Sequence, residues 1–291
     1  METQELIKKV RRIEIKTRGI SNQVFSGEYH SAFKGRGMSF SEVRAYQYGD
    51  DVRNIDWNVT ARFNQPFIKI FEEERELTVL LMIDVSESSF FGTSVQMKNE
   101  LITEICAVLS FSAITNNDKV GVIFFSSKIE KFIPPMKGKT HILRIIRELL
   151  EVRPTAKGTD IGEALKFMNN VMKKRSIVFL ISDFIDHNYE QPINIASRKH
   201  DIVGIKVYDE REKTLPQMGL IVMTDAETGQ VMMIDTGSEN IRNRYARYYA
   251  EHDIYFREIF RKCGLDILKL RTDLPYIREL MNFFKKREVR R

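Results

Sequence analysis

From Thr78 onward, the chain alternates between short, almost unbroken apolar runs and longer stretches whose apolar positions recur at helical spacing. The runs predict strands at 78–84, 119–127, 176–183 and 201–208. The stretches between them predict helices at 97–115, 140–151, 161–174 and 190–199. A strand that is apolar at every position is buried on both faces. Alternation of such strands with helices therefore predicts an α/β fold, with a mostly parallel sheet between helical layers. Further on, Gly219 to Met223 and Val231 to Asp235 flank Glu227-Thr228-Gly229, which predicts an antiparallel hairpin (219–235) at the sheet edge. A helix at 239–262, a strand at 266–271 and a helix at 275–287 are expected to close the domain.

The pattern before Thr78 differs. Residues 4–17 read as a short amphipathic helix of mixed charge, and residues 18–76 interleave glycine, arginine, aspartate and aromatics. Strands are expected at Glu42 to Tyr46 and Pro66 to Phe71, with turns at Gly35, Gly37 and Gly49. Phe40, Tyr46, Trp57, Phe63, Phe67 and Ile70 make this front segment too apolar for a free tail. The expected organisation is therefore a helix and β-rich segment over 1–76, packed on a main domain over 77–291. Trp57, the only tryptophan, is expected in the core.

Composition changes this picture little. Charged residues are 30% and hydrophobic ones 43% of the 291 residues, ordinary values for a globular protein. No apolar run is long enough to span a bilayer, and the opening METQELIKKVRRIEIKTRG lacks the apolar centre of a signal peptide. Cys106 and Cys263 are the only cysteines, so a disulfide framework is not expected and a reducing cytoplasm fits. The five histidines are scattered without ligand spacing. The net charge of +6 permits a nucleic-acid or anionic-membrane contact. Its candidate surfaces are the Arg-rich front and the tail Lys285-Lys286-Arg287 with Arg290 and Arg291, and the competing reading of that tail is a solvated face.

The chemistry concentrates where the strand Thr78 to Ile83 ends in Asp84, with Ser86 and Ser88 following at steps of two. In an open parallel sheet, ligands bind beyond the carboxyl ends of the strands. In an extended chain, residues two apart stand roughly 6.6 Å from each other. Oxygens sharing one Mg²⁺ each lie about 2.0–2.1 Å from it. A common ion thus requires the chain after Asp84 to curl. Two other strand ends carry oxygen donors: Thr159, in the loop Lys157 to Gly162, and Asp183, after Ile181-Ser182. Two carboxylates and three hydroxyls are hard donors suited to Mg²⁺ or Mn²⁺. The competing reading is a set of helix-capping turns, and Asp160 is expected as a cap in either case.

No enzyme motif competes. Gly138-Lys139-Thr140 lacks the leading glycine of a phosphate loop, since position 133 is Ile133, and Pro134 and Pro135 interrupt it. No HExxH, GxSxG or CxxC is present, and no base neighbours Ser86 or Ser88 in sequence. In the front segment, Arg36, Arg44, Arg53 and Arg62 lie among Asp50, Asp51 and Asp56. They read as structural ion pairs or as a partner surface.

Asp84-x-Ser86-x-Ser88, followed by Thr159 and Asp183, resembles the metal-ion-dependent adhesion site of von Willebrand factor A domains. Asn117-Asp118-Lys119-Val120-Gly121-Val122-Ile123-Phe124-Phe125 resembles the turn and second strand of that fold. Gly35-Arg36-Gly37-Met38-Ser39-Phe40, Arg44-Ala45-Tyr46, Gly49-Asp50-Asp51-Val52-Arg53-Asn54-Ile55-Asp56-Trp57 and Ala61-Arg62 resemble the bacterial family catalogued as domain of unknown function 58. The resemblance implies a three-layer, Rossmann-like von Willebrand A fold with a small β-rich N-terminal insertion. It further implies a cytoplasmic, non-enzymatic interaction module whose Mg²⁺ or Mn²⁺, held by Asp84, Ser86, Ser88, Thr159 and Asp183, accepts an Asp or Glu from a partner. The partner it implies is a MoxR-type AAA+ ATPase.

Overall fold

The structure is a computed structural model that describes residues 8, 10–17, 38–73, 76–90, 97–224 and 231–289. It contains two compact units, one of Phe33–Leu77 and one of Met1–Ala32 with Thr78–Arg291. The N-terminal helix, α1, covers residues 10–17 and belongs to the larger unit. Lys16 pairs with Glu104 at 2.5 Å, and Glu14 pairs with Lys139.

In the smaller unit, β1 (Met38–Ala45) and β2 (Phe67–Glu73) pair antiparallel, with a bulge between Phe40 and Glu42. Between them lie a single 3-10 turn, Val52–Asn54, and the helix α2 (Trp57–Phe63). The sequence reading has no helix here. Its start is the capping of Asn58 and Val59 amides by the Asp56 carboxylate, and its end is Asn64 in the left-handed conformation at φ 51°. Trp57 opens this helix and is 70% exposed, so the expectation that it belongs to the core is corrected. Arg44 forks onto Asp50 at 2.8 and 2.9 Å, and Arg53 grips Asp51 at 2.8 Å. The structural reading of the Arg–Asp pattern has such pairs pinning the front segment to the main sheet, whereas Arg44–Asp50 and Arg53–Asp51 both lie within the smaller unit; Gly35, Arg36 and Gly37 lie outside the described residues.

The larger unit is built on β3 (Thr78–Asp84), β4 (Lys119–Phe125), β5 (Ile129–Met136), β6 (Ile177–Ser182), β7 (Asp201–Tyr208) and β10 (Asp266–Arg271). They form one sheet in the order β10-β7-β6-β3-β4-β5. All neighbours are parallel except β5, which runs antiparallel to β4. β5 is absent from the sequence reading because Pro134 and Pro135 break its pattern. An edge strand tolerates them, since no second neighbour needs their amides.

Six helices complete this unit: α3 (Lys98–Thr115), α4 (Lys139–Glu151), α5 (Ile161–Val171), α6 (Glu190–Lys199), α7 (Glu239–Lys262) and α8 (Tyr276–Val289). Leu80 and Met82 of β3, with Val178 and Leu180 of β6, enter one core with residues of α5, α6 and α7. The alternate residues Val79, Leu81 and Ile83 are equally buried on the opposite side, the side of α3 and α4. Each such side chain contributes about 1.5–3 kcal/mol of burial. The fold is thus α/β, with a central, mostly parallel sheet flanked by helices.

The hairpin departs from expectation. β8 (Leu220–Thr224) and β9 (Val231–Asp235) pair antiparallel as a separate two-stranded sheet and do not extend the main one. The place beside β7 is taken by β10, which pairs from Asp266↔Val203 to Arg271↔Tyr208. The expected turn residues Glu227-Thr228-Gly229 lie outside the described residues. Among the described residues, no helix is long and apolar enough to cross a membrane.

Candidate metal-ion site

The chain leaves β3 for β4 on one side and later returns to β6 on the other. Strand order therefore reverses between β3 and β6, and the crevice beyond their carboxyl ends is where open α/β sheets bind ligands. Asp84 ends β3 and Asp183 directly follows β6, so both acids stand at this switch point.

Beyond Asp84 the chain turns. Val85 still donates its amide to Phe125 at 2.9 Å, and a 3-10 turn then spans Glu87–Phe90. The Ser86 amide donates to Asp84 Oδ1 at 3.0 Å, and Ser89 Oγ donates to the Asp84 carbonyl at 3.0 Å. This curl brings Ser86 Oγ and Ser88 Oγ to 3.0 Å from each other. Two adjacent oxygens of an octahedron with ligands at 2.0–2.1 Å lie about 2.9 Å apart. The hydroxyl pair is hydrogen-bonded at this separation, which is also close to one edge of a Mg²⁺ coordination shell.

Asp84 is 1% exposed. Its Oδ2 accepts from Ser182 Oγ at 2.7 Å. Burial, and then the charge of Asp183, push its carboxyl up to about 6, against the hydrogen bonds from Ser86 and Ser182. Each carboxylate oxygen retains a lone pair beyond these bonds. Asp183 is also buried, which on its own would raise it. The Lys98 ammonium and hydrogen bonds from Lys98, Ser88 and the Ile185 amide outweigh burial, and hold it below the usual carboxylate range.

Lys98 is the least expected member of the group. It is 1% exposed, with Nζ 3.0 Å from Asp183 Oδ2 and 2.5 Å from Glu212 Oε1. It is also the first residue of α3, where the helix dipole disfavours a cation. Burial pulls its ammonium down, but Asp183 and then Glu212 outweigh it and raise it above the ordinary lysine value. Glu212 belongs to the 3-10 turn after β7, where its other oxygen accepts the Asp209 amide at 3.0 Å.

A backbone constraint aims Asp183. Phe184 adopts φ 56°, a conformation that a bulky side chain rarely takes. Its amide donates to Ser182 Oγ at 3.0 Å, and its ring stacks on Phe256 at 4.0 Å and meets Phe260 edge-on. Ring packing and the serine hydroxyl together hold the turn.

The structure thus joins Asp84, Ser86, Ser88 and Asp183 by hydrogen bonds and electrostatic contact. Thr159 stands outside that network. Its loop is tethered to the end of β4 by the Asp160 amide, which donates to Ser126 at 3.0 Å, and the Asp160 side chain caps α5 through Glu163 at 2.7 Å. Thr159 is half-buried beside the strand next to Asp84. The sequence reading missed Ser182, Ser89, Lys98 and Glu212. A lysine opening a helix as apolar as Leu101 to Ala113 was a legible signal for Lys98.

Among the described residues, no group of three or more His, Cys, Asp or Glu is arranged to hold a metal. The donor set at the switch point has only two carboxylates, and its remaining oxygens are hydroxyls. It fits a hard divalent cation by donor type and by the Ser86–Ser88 spacing. Of the tail run, Lys285 and Lys286 are exposed, and Arg290 and Arg291 lie outside the described residues. Arg287 lies within α8, is 6% exposed, and pairs with Asp266 at 2.8 Å and with Asp201.

Over residues 42–255 the chain matches the family described as "Protein of unknown function DUF58". The chain belongs to the DUF58 family. Among curated relatives, this DUF58 chain is similar to the "Uncharacterized protein Rv1480" of Mycobacterium tuberculosis, 29% identical over 282 residues, which are 96% of this chain and 88% of that one. Among solved structures it is similar to the conserved hypothetical protein BatB from Bacteroides thetaiotaomicron, at 17% identity and TM-score 0.47, covering 72% of this chain and 98% of that one. The SpRpn10 VWA domain aligns at 10% identity and TM-score 0.36, covering 71% of this DUF58 chain and 94% of that one.

Proposed function

We propose that this DUF58 chain is a non-catalytic protein-interaction module whose contact depends on a divalent cation, Mg²⁺ or Mn²⁺. Asp84, Ser86 and Ser88 would hold the ion, with Thr159 from the neighbouring loop and Asp183 directly or through water. The observation that carries this reading is the curl after Asp84, which sets two hydroxyls at 3.0 Å beside a buried carboxylate. When bound, the cation supplies an electrophilic position that an Asp or Glu of a partner can fill. The chain's own part is to orient the donors. Ser182 and the Ser86 amide fix the Asp84 carboxylate, and the Phe184 turn fixes Asp183. The cation next to these groups, Lys98, is held protonated by two acids and is unfit to act as a base, which favours coordination over catalysis. The partner we propose, from the resemblance of the motifs, is a MoxR-type AAA+ ATPase acting in assembly of other complexes in the cytoplasm.

Calorimetric titration of MgCl₂ and MnCl₂ into the wild type and Asp84→Ala tests the ion. The wild type is expected to bind and the variant to stay folded without binding. Equal affinity in both would sink the assignment. Immobilised protein titrated with a MoxR-type ATPase in Mg²⁺ and in EDTA tests the partner; association indifferent to EDTA would place the contact away from Asp84.

A further inference from the structure

We propose that Lys98 is the resident counter-ion of this site, holding Asp183 when no divalent cation is present and limiting how tightly one binds. The inference rests on the metal reading above and adds its regulation. Its basis is geometric. The ammonium lies deep in the protein, 3.0 Å from Asp183 Oδ2 and 2.5 Å from Glu212 Oε1. Two buried acids, Asp84 and Asp183, stand at the ends of the neighbouring strands β3 and β6, and a cation beside them offsets their mutual repulsion. Lys206 is the other buried lysine that acts on Asp183, but it lies 3.2 Å from Asp253 and stands over the Tyr249 ring. Lys98 is the cation bonded to Asp183.

Glu212 makes exchange possible. An ammonium has three donors and can be shared between acceptors. Glu212 is fixed from its other oxygen by the Asp209 amide, and the turn carrying it is closed by a reciprocal cap. It therefore keeps Lys98 when Asp183 is released. With a divalent cation held by Asp84, Ser86 and Ser88, Lys98 would rest on Glu212 alone and release Asp183 toward the site. Metal and lysine are alternative partners of one carboxylate.

The experiment compares wild type, Lys98→Met and Glu212→Gln by MgCl₂ titration calorimetry and by thermal unfolding with and without MgCl₂. Lys98→Met is expected to bind Mg²⁺ at least tenfold more tightly than wild type. It should melt at a lower temperature without the ion, and Mg²⁺ should restore most of the loss. Glu212→Gln leaves Lys98 to Asp183 and should weaken Mg²⁺ binding severalfold. Mg²⁺ binding by Lys98→Met alone, with wild type silent, also supports the exchange. Equal affinity in wild type and Lys98→Met, with Asp84→Ala silent, overturns the role of Lys98 and leaves the metal reading standing. No binding by wild type or Lys98→Met overturns both. If Lys98→Met does not fold, Glu212→Gln decides, and affinity unchanged or tightened in that variant overturns the proposal.

Discussion

Ser182 holds one oxygen of Asp84 at 2.7 Å and accepts the Phe184 amide, so a single hydroxyl links the two acids' strands. Ser182→Ala strips a donor from a buried carboxylate and an acceptor from a strained turn. It should lower stability by about 1–3 kcal/mol, the usual penalty for a buried polar group left unsatisfied. Urea unfolding of metal-free protein measures it, and an unchanged midpoint would show that another donor replaces the serine. This residue also marks the limit of what one sequence tells. Asp84, Ser86 and Ser88 were visible because they are close in the chain and follow an apolar strand. Asp183 was visible as the acid ending a second such strand. Ser182 touches Asp84 only because β6 pairs with β3 in the register Ile83↔Ile181, and no local pattern encodes that register. Lys98 and Asp183 are 85 residues apart, and only folding shows that they meet.

Elements were legible where burial is symmetrical. β3, β4, β6 and β7 are nearly continuous apolar runs, broken in β7 by the buried Lys206, and helices cover the sheet on both faces, so periodicity located them. β5 and α2 were not, because each depends on its surroundings: β5 on an edge that tolerates proline, α2 on the caps Asp56 and Asn64. The hairpin was visible as a hairpin, but it forms its own two-stranded sheet, and β10 holds the place beside β7. That edge of the fold carries a packing constraint which the sequence marks only as a glycine. Gly204 lies in β7, and a Cβ built there would stand 2.4 Å from Cε1 and 2.7 Å from Cζ of Phe260. The ring belongs to α7 and packs with Phe184 and Phe256, so it has little room to retreat. Gly204→Ala should cost about 1–3 kcal/mol of stability, the range for overpacking a dense core. Because Phe260 meets Phe184, the variant should also disturb the turn that aims Asp183. Denaturant unfolding reads the first effect. A stability at or above wild type would show that α7 shifts freely on the sheet.

At the scale of the whole molecule, the chain joins a small β1–β2 unit to a large α/β unit, with an excess of basic side chains overall. Much of that charge is engaged: Arg44 and Arg53 within the small unit, Lys98 and Arg287 inside the large one. Net charge therefore says less about partners than the burial of particular ions does. The same holds for acid stability. His200 ends α6 and is 2% exposed, and neither ring nitrogen has a hydrogen-bond partner among the described residues. Burial first, and then Lys199 and Arg175, pull its value down from 6.5 to about 4. The folded protein thus favours the neutral ring, whereas the unfolded chain binds a proton near 6.5. A base depressed in this way contributes its full stability above the unfolded value. The contribution is lost progressively as pH falls from 6.5 to about 4. Asp84, shifted upward, acts with the opposite slope in part of this range, so the total curve mixes the two. Comparison with His200→Leu isolates the histidine, because the leucine cannot take up a proton and leaves Asp84 untouched. Wild type and variant should diverge in their pH dependence across this window, with wild type losing stability more steeply toward acid. Urea midpoints measured at intervals from pH 7 to pH 4 provide the test, and parallel curves would assign the acid limit to the carboxylates.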